Sequence, residues 1–384
     1  MAPLKSSLAR TVGKLLGVQK DRDLSLRGRK QSTREAPPTG TLSGSGGSVY
    51  TQGDYKLHVF SFPNSDSFVV TDAEPNATVE IFMVASGGSG APDQGNGGGG
   101  GGIVWTDNGG IVISNGTYPV TISDASQNNA PGPGNPVNAR GGDTVFGPNG
   151  GITLRAKGGG FGGYFSPDIG RNLDYRRGGC GGGMGNIPAG NLPAPDVIGA
   201  DAYQPTEPQT FPTATNVLGN TATVLSQGFA GGASNITATS NSSGSGGGGG
   251  GAGQVGYGGR PPFPAPTRGR GGDGYQVPTP FLDPFKPVIP NPFLSISHAD
   301  PAFLYFGGGG GGSDHNNNAG TGRGFGVPGG LGGGGRGATD PGPGTAHGEV
   351  GLNGRGGGGG GGSTHSGNGR SGGSGVCIIK YKFQ

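Results

Sequence analysis

The sequence predicts a mostly β and irregular fold. A β-sandwich closed by the C-terminal strand carries an inserted bundle of polyglycine II helices, and a short amphipathic helix with an extended arm precedes it. Three observations support this reading. Strand-like apolar runs gather before residue 157 and return at 376–383; unbroken glycine runs stand at 97–102, 246–251, 307–312 and 356–362; and nine Lys or Arg fall within the first 35 residues.

Glycine and proline, 95 and 32 of 384 residues, make up about a third of the chain, a level normally associated with low complexity. A run of six glycines cannot make a stable helix or a packed strand, because glycine loses the most backbone entropy on ordering and brings no side chain to bury. It can make a polyproline-II-like rod of about 3 residues per turn with no internal hydrogen bonds. Several such rods side by side can satisfy one another's N–H and C=O groups, since only glycine lets backbones approach that closely. With 30% apolar residues, the chain can fill one modest β core, so backbone hydrogen bonding must supply most of the remaining order.

At the N-terminus, Leu4, Leu8, Val12, Leu15 and Leu16 share one face of a helix that Gly17 ends. A helix this short is marginal alone and is expected to dock on a partner protein. The arm after it holds Arg22, Arg27, Arg29, Lys30 and Arg34, and residues 1–35 carry a surplus of six positive charges. The remainder of a chain with net charge +3 is therefore slightly acidic, which fits an anchoring arm on a neutral body. Residues 40–48 read as linker, and the first unit, 1–48, reads as the docking segment.

Strands are expected at 54–62, 68–71, 78–85, 103–106, 111–114, 117–123, 143–146, 152–156 and 376–383, separated by Asn-Gly, Gly-Gly and Pro-Asn turns. The run TVEIFMVA at 78–85 is apolar at nearly every position, as befits a central strand buried on both faces. Residues 49–157 and 372–384 thus form the sandwich, and 158–371 the glycine-rich insertion. Within the insertion, glycine runs alternate with segments rich in Pro, Asn, Thr and aromatics, so loops stand at the ends of rods, where recognition usually resides. Aromatic Phe263, Tyr275, Phe281, Phe285 and Phe293, and polar Asp314, His315, Asn316 and Asn317, are the candidate receptor-binding residues.

Read in order, TVEIFMVASGGSG (78–90), GGGGGGIVW (97–105), NGTYPVTIS (115–123), GGDTVFGPNGGITLRAKGGGFGG (141–163) and GGSGVCIIKYKF (372–383) resemble the glycine-rich tail proteins of bacteriophages. The resemblance covers residues 50–384. The chain is also similar to the glycine-rich adhesins at the tips of long tail fibres of T-even-type phages. That likeness implies a layered polyglycine II bundle with host-specific loops at one end. It further implies a virion protein of the tail, without enzymatic activity, that binds other tail proteins through its N-terminus. A host glycan or outer-membrane protein would engage its loops, and there is room for a homo-oligomer. The basic N-terminal segment and the Pro/Phe-rich stretch 257–306 depart from those adhesins. A capsid decoration or head-fibre protein is the alternative location.

The residues point to no cofactor or metal. The histidines at 58, 298, 315, 347 and 365 are scattered, His315 beside Asp314 lacks a second spaced ligand, and Cys180 and Cys377 belong to no metal-spaced cluster. No apolar run approaches the roughly 20 residues of a membrane span. An RGG-type nucleic-acid binder, suggested by Arg176, Arg177, Arg268, Arg270 and Arg355 beside glycines, is the rival from another class. The negative balance of the body argues against it, and a purely structural glycine-rich wall protein is a further alternative.

Overall fold

A computed structural model describes residues 40–63, 66–92, 95–107, 109–123, 140–163, 176–184, 199–211, 223–233, 246–259, 267–314, 326–339, 347–363 and 367–384. The expected helix at 4–16 and its arm lie outside the described residues.

Ten strands follow one another in the first part of the chain: β1 (Leu42–Ser45), β2 (Ser48–Gln52), β3 (Tyr55–Ser61), β4 (Asp66–Ala73), β5 (Thr78–Val84), β6 (Ile103–Asp107), β7 (Ile111–Val112), β8 (Gly116–Ile122), β9 (Thr144–Asn149) and β10 (Ile152–Ala156). Later come β11 (Thr223–Gln227), β12 (Tyr275–Gln276), β13 (Tyr305–Phe306) and β14 (Val376–Lys382). One antiparallel sheet has the order β1-β4-β8-β9-β10; the other runs β11-β6-β5-β14-β3-β2, with β7 on β5. Alternate residues of both sheets meet in one core. Phe68, Tyr118, Val120, Phe146 and Leu154 come from the first sheet, and Phe60, Ile81, Met83, Cys377 and Ile379 from the second. The last strand sits between β5 and β3 with seven residues in register against β3.

Two expectations are corrected here. Within the expected linker 40–48, residues 42–45 form a strand and Ser48 begins another that runs to Gln52, hidden in the sequence by the serines and glycines of LSGSGGS. Gly46 and Gly47, at φ of 111° and 61°, turn the chain from one sheet into the other. Their crowding explains the composition, because a β-carbon on Gly46 would lie 2.1 Å from the Ser67 carbonyl oxygen. In addition, β11 lies inside the expected insertion yet pairs with β6 at the edge of the second sheet.

The glycine runs are ordered by one another. Gly97 and Gly100 donate to Gly247 and Gly250 (3.1 and 2.9 Å), Gly98 and Gly101 to Gly359 and Gly356 (2.9 and 2.8 Å), and Gly99 and Gly102 to Gly160 and Lys157 (2.8 and 2.9 Å). The partner tract therefore changes at each residue and returns after three. On the acceptor side, Gly183 and Cys180 donate to Gly97 and Gly100, Gly310 to Gly98, and Gly88 and Ala85 to Gly99 and Gly102. Six tracts thus surround 97–102. The other three long runs are enclosed in the same manner; Gly308 and Gly311, for example, accept from Gly358 and Gly361 and donate to Gly332 and Gly335.

Enclosure on every side explains why these four runs hold glycine at every position, whereas peripheral tracts hold it only where they face inward. In 347–352, Gly348 and Gly351 are buried while Glu349, Val350 and Leu352 are exposed. A β-carbon on Gly97, Gly249 or Gly310 would stand 1.9–2.1 Å from a carbonyl oxygen of the adjoining tract, well inside van der Waals contact.

Cys180 and Cys377 are both buried and free. Burial pushes the Cys180 thiol up to about 12 and the Cys377 thiol in the same direction. Neither should react with a maleimide at pH 8 until denaturant is added, and labelling counted by mass spectrometry checks this.

Candidate functional site

The glycine tracts leave the sheets from β5, β10, β11 and β13 and return to β6, β11, β12 and β14. Near the sheets, Ala85 donates to Gly102 (3.1 Å) and Gly102 to Lys157 (2.9 Å). At the opposite end a second set of residues is joined. Asn96 donates to Gly163 (3.2 Å), Gly163 to Gly183 (2.8 Å), Met184 to Gly232 (3.1 Å) and Gly246 to Ser313 (2.8 Å). Ser313 donates to Gly95 (2.9 Å), Gly95 to Gly362 (2.9 Å), Asp314 to Ala338 (2.9 Å) and Gly348 to Asn368 (3.2 Å). Gly259 likewise donates to Ala233 (2.9 Å), and from these residues the segments beginning at 93, 164, 185, 234, 260, 315, 340 and 364 depart. Eight stretches of sequence, the longer of them rich in Pro, Asn, Ser or Thr, therefore depart from one hydrogen-bonded end of the lattice.

Asn96 is the non-glycine member that knits this end. It is wholly buried, its amide nitrogen donates to the Gly163 carbonyl, and its Oδ1 accepts from the Gly247 N–H at 2.6 Å. A side-chain amide thus supplies the donor and acceptor that a further glycine tract would have supplied. Sequence reasoning did not single it out; an Asn immediately before six glycines is the available signal.

The second feature lies on the outer face of the β11-to-β2 sheet. Leu57, Val59, Phe82, Val84, Ile103, Trp105, Val376 and Ile378 form an apolar surface there. Residues 275–306 cover it, with the short helix α1 (Thr279–Leu282) and two 3-10 turns. Phe281 stands edge-on to Trp105 at 4.5 Å and Phe306 edge-on to Phe82 at 4.9 Å. Phe281, Phe285 and Phe293 are at most 2% exposed, so they are core side chains and not receptor contacts. Each such burial contributes about 1.5–3 kcal/mol, enough to draw the rings inward. Tyr275 is half-buried and stacked on Phe82. Asp314 is 8% exposed at the far end of the lattice. Phe263, His315, Asn316 and Asn317 lie outside the described residues, as do Leu4, Leu8, Val12, Leu15, Leu16, Arg22, Arg27, Arg29, Lys30 and Arg34.

Arg355 locks this aromatic cover in place. Its side chain is fully buried, and its guanidinium donates to the carbonyls of Leu294 (3.0 Å), Phe303 (2.5 Å), Tyr305 (3.4 Å) and Phe293 (2.9 Å). The group lies 4.4 Å from the Phe306 ring centroid. Burial pulls its pKa down to about 9, with Asp300 opposing, so it remains cationic at neutral pH. The planar fork explains the choice of residue, since five fixed donors meet four carbonyls of 293–305, of which Phe293 also accepts from the Ile296 N–H.

The other arginines of the RGG-like signals are also engaged. Arg176 is 2% exposed, Arg177 approaches Asp201 at 3.5 Å, and Arg270 pairs with Asp273 at 2.6 Å over the Tyr257 ring. Among the described residues, no three His, Cys, Asp or Glu are grouped to hold a metal ion, and no helix is long and apolar enough to cross a membrane.

A comparison with curated proteins finds no match to the chain. A family model described as glycine-rich domain matches residues 63–382, and so spans the strands from β4 to β14 and the glycine lattice between them. The chain belongs to that glycine-rich domain family.

Proposed function

We propose that this chain is a structural protein of a bacteriophage tail, a fibre or tail-tip adhesin whose glycine lattice holds recognition segments steady against a host surface. We also infer that the lattice tracts are polyglycine II helices, because partners that recur at every third residue are what a rod with about 3 residues per turn produces. The observation that carries the functional reading is the gathering of eight segment departures on one end of a mutually bonded array. Rods without side chains have little use as a core, but they make a stiff stem.

The segments anchored there are rich in Asn, Ser, Thr and Pro, as in HNNNAGTGRGF at 315–325 and SNITATSNSSGS at 234–245. Such sequences offer adaptable hydrogen bonds to sugars or to the loops of an outer-membrane protein. Attachment to the virion is assigned to Leu4, Leu8, Val12, Leu15, Leu16 and the basic arm, at the other end of the chain's path. Exchange of 315–325 for an unrelated polar sequence of equal length should leave the melting temperature unchanged and reduce adsorption to the host at least tenfold. Unchanged adsorption after exchange of each departing segment in turn would remove the adhesin reading. Deletion of 1–35 should give folded protein that no longer joins particles.

A further inference from the structure

The corner between β1 and β2 is pinned by side chains that behave differently in acid. His58, on β3, is wholly buried in the core between the two sheets. Its Nδ1 lies 2.7 Å from the Gly46 carbonyl oxygen and its Nε2 3.0 Å from the Tyr381 hydroxyl on β14. A carbonyl can only accept, so Nδ1 carries the proton of the neutral ring, and the Tyr381 hydroxyl shares its one proton between Nε2 and the Gly44 carbonyl at 3.3 Å. The Tyr381 hydroxyl also receives the Gly44 N–H at 3.2 Å, and Asp66 on β4 accepts from the Gly47 N–H at 2.9 Å. Three side chains from three strands thus hold residues 44–47.

Among the described residues, none offers the imidazole a counter-ion. On its own strand the nearest charge is Lys56, a cation; β14 presents neutral Tyr381, stacked at 5.4 Å; β4 presents the Phe68 ring, edge-on at 5.2 Å; and Asp66 is committed to the backbone of Gly47 and Ser67. Burial is the largest cause that lowers the pKa of His58, ahead of Lys56, with the Gly46 carbonyl opposing. The sign follows. The unfolded or opened form binds a proton near 6.5 and the closed form only at lower pH. Stability of the closure is therefore complete above 6.5 and is lost as pH falls below it toward the folded value.

The cheapest way to hydrate an imidazolium here is to lift the corner. Strand β1 has four residues, a register shift between Ser43 and Gly44, and an edge position in its sheet. We propose that His58 is an acid-sensitive latch, whose protonation frees residues 42–48 from the sandwich while the rest of the body stays folded. Everything N-terminal to β1 is then tethered by a longer leash. The inference does not depend on the phage reading.

Amide hydrogen exchange on the full chain tests it. After correction for intrinsic rates, exchange at 42–48 should rise about tenfold from pH 7.5 to 5.5, one proton being taken up per opening. Amides of β5 and β14 should not change. His58→Gln, which keeps a donor for Gly46 and cannot titrate, should abolish the pH dependence. Equal protection at both pH values, the same rise in the His58→Gln variant, or parallel loss throughout the sandwich would each overturn the latch. Should that variant fold poorly, the His58 Cε1–H resonance of the native chain decides. A midpoint well below 6.5 that tracks corner exchange supports the latch, and an ordinary midpoint with a silent corner refutes it.

Discussion

Alanine at Gly99 should destabilise the body by about 3 kcal/mol, the upper end for overpacking, because the added methyl meets backbone that cannot rotate away. The β-carbon would lie 2.2 Å from the Cys180 carbonyl oxygen and 2.8 Å from that of Gly181. Moving the intruded tract would disturb the tracts beyond it, since 177–184 is itself bonded to 157–160, 199–204 and 228–232. Gly151→Asn provides the control. That glycine has φ of 77° and nothing within 4 Å of an added β-carbon, and asparagine tolerates the left-handed region. The control should stay within about 0.5 kcal/mol of the parent. Denaturant midpoints at a constant slope measure both.

Arg355→Met should cost about 3–5 kcal/mol and detach the aromatic cover before the sheets unfold. Removing the fork takes the guanidinium donor from the carbonyls of Leu294, Phe303 and Tyr305 and leaves Phe293 with the Ile296 N–H alone, at roughly 1–3 kcal/mol for each that water cannot reach. Relief of the buried charge offsets part of this, which keeps the net below the sum. Arg355→Lys should fail to rescue, since a point charge cannot reach four acceptors spread around a plane. Trp105, the single tryptophan, reports the event directly because Phe281 stands against its ring. Its emission should shift to the red at a lower denaturant concentration than the loss of β signal in circular dichroism. Coincident transitions in both variants would place the cover and sheets in one cooperative unit.

Much of the sandwich was legible because its strands advertise themselves by alternation and by punctuation at Asn-Gly and Gly-Gly. The expected strands at 54–62, 78–85, 103–106, 117–123, 152–156 and 376–383 each fall on an observed one within a residue or two. Strands β1 and β2 were not legible, because a corner that needs positive φ at Gly46 and Gly47 looks in composition like a linker. β11 escaped notice because TVLSQ is short and half-exposed, and its strand character comes from the free edge of β6.

The aromatic segment was misread for an instructive reason. A run such as TVEIFMVA, apolar on both faces, demands two covers, and only one was assigned. The second face, with Phe82, Val84 and Ile378, is what Phe281, Phe285, Phe293 and Phe306 are for. Arg355 carried the opposite lesson. Beside glycines it resembles a nucleic-acid contact, yet the same glycines let the chain turn its guanidinium into the core, with Gly354 and Gly356 at φ of 72° and 64°. Charge counted along a sequence does not say which cations remain outside.

The central claim is that glycine tracts lacking side chains are held rigid by one another's backbones. Site-resolved amide exchange at 97–102, 246–251, 307–312 and 356–361 tests it most directly. If the tracts are mutually bonded as described, these glycines should exchange as slowly as the amides of β5 and β14, with peripheral Val350 much faster. Exchange of the four runs at the rate of an unstructured glycine peptide, beside a protected sandwich, would contradict the account.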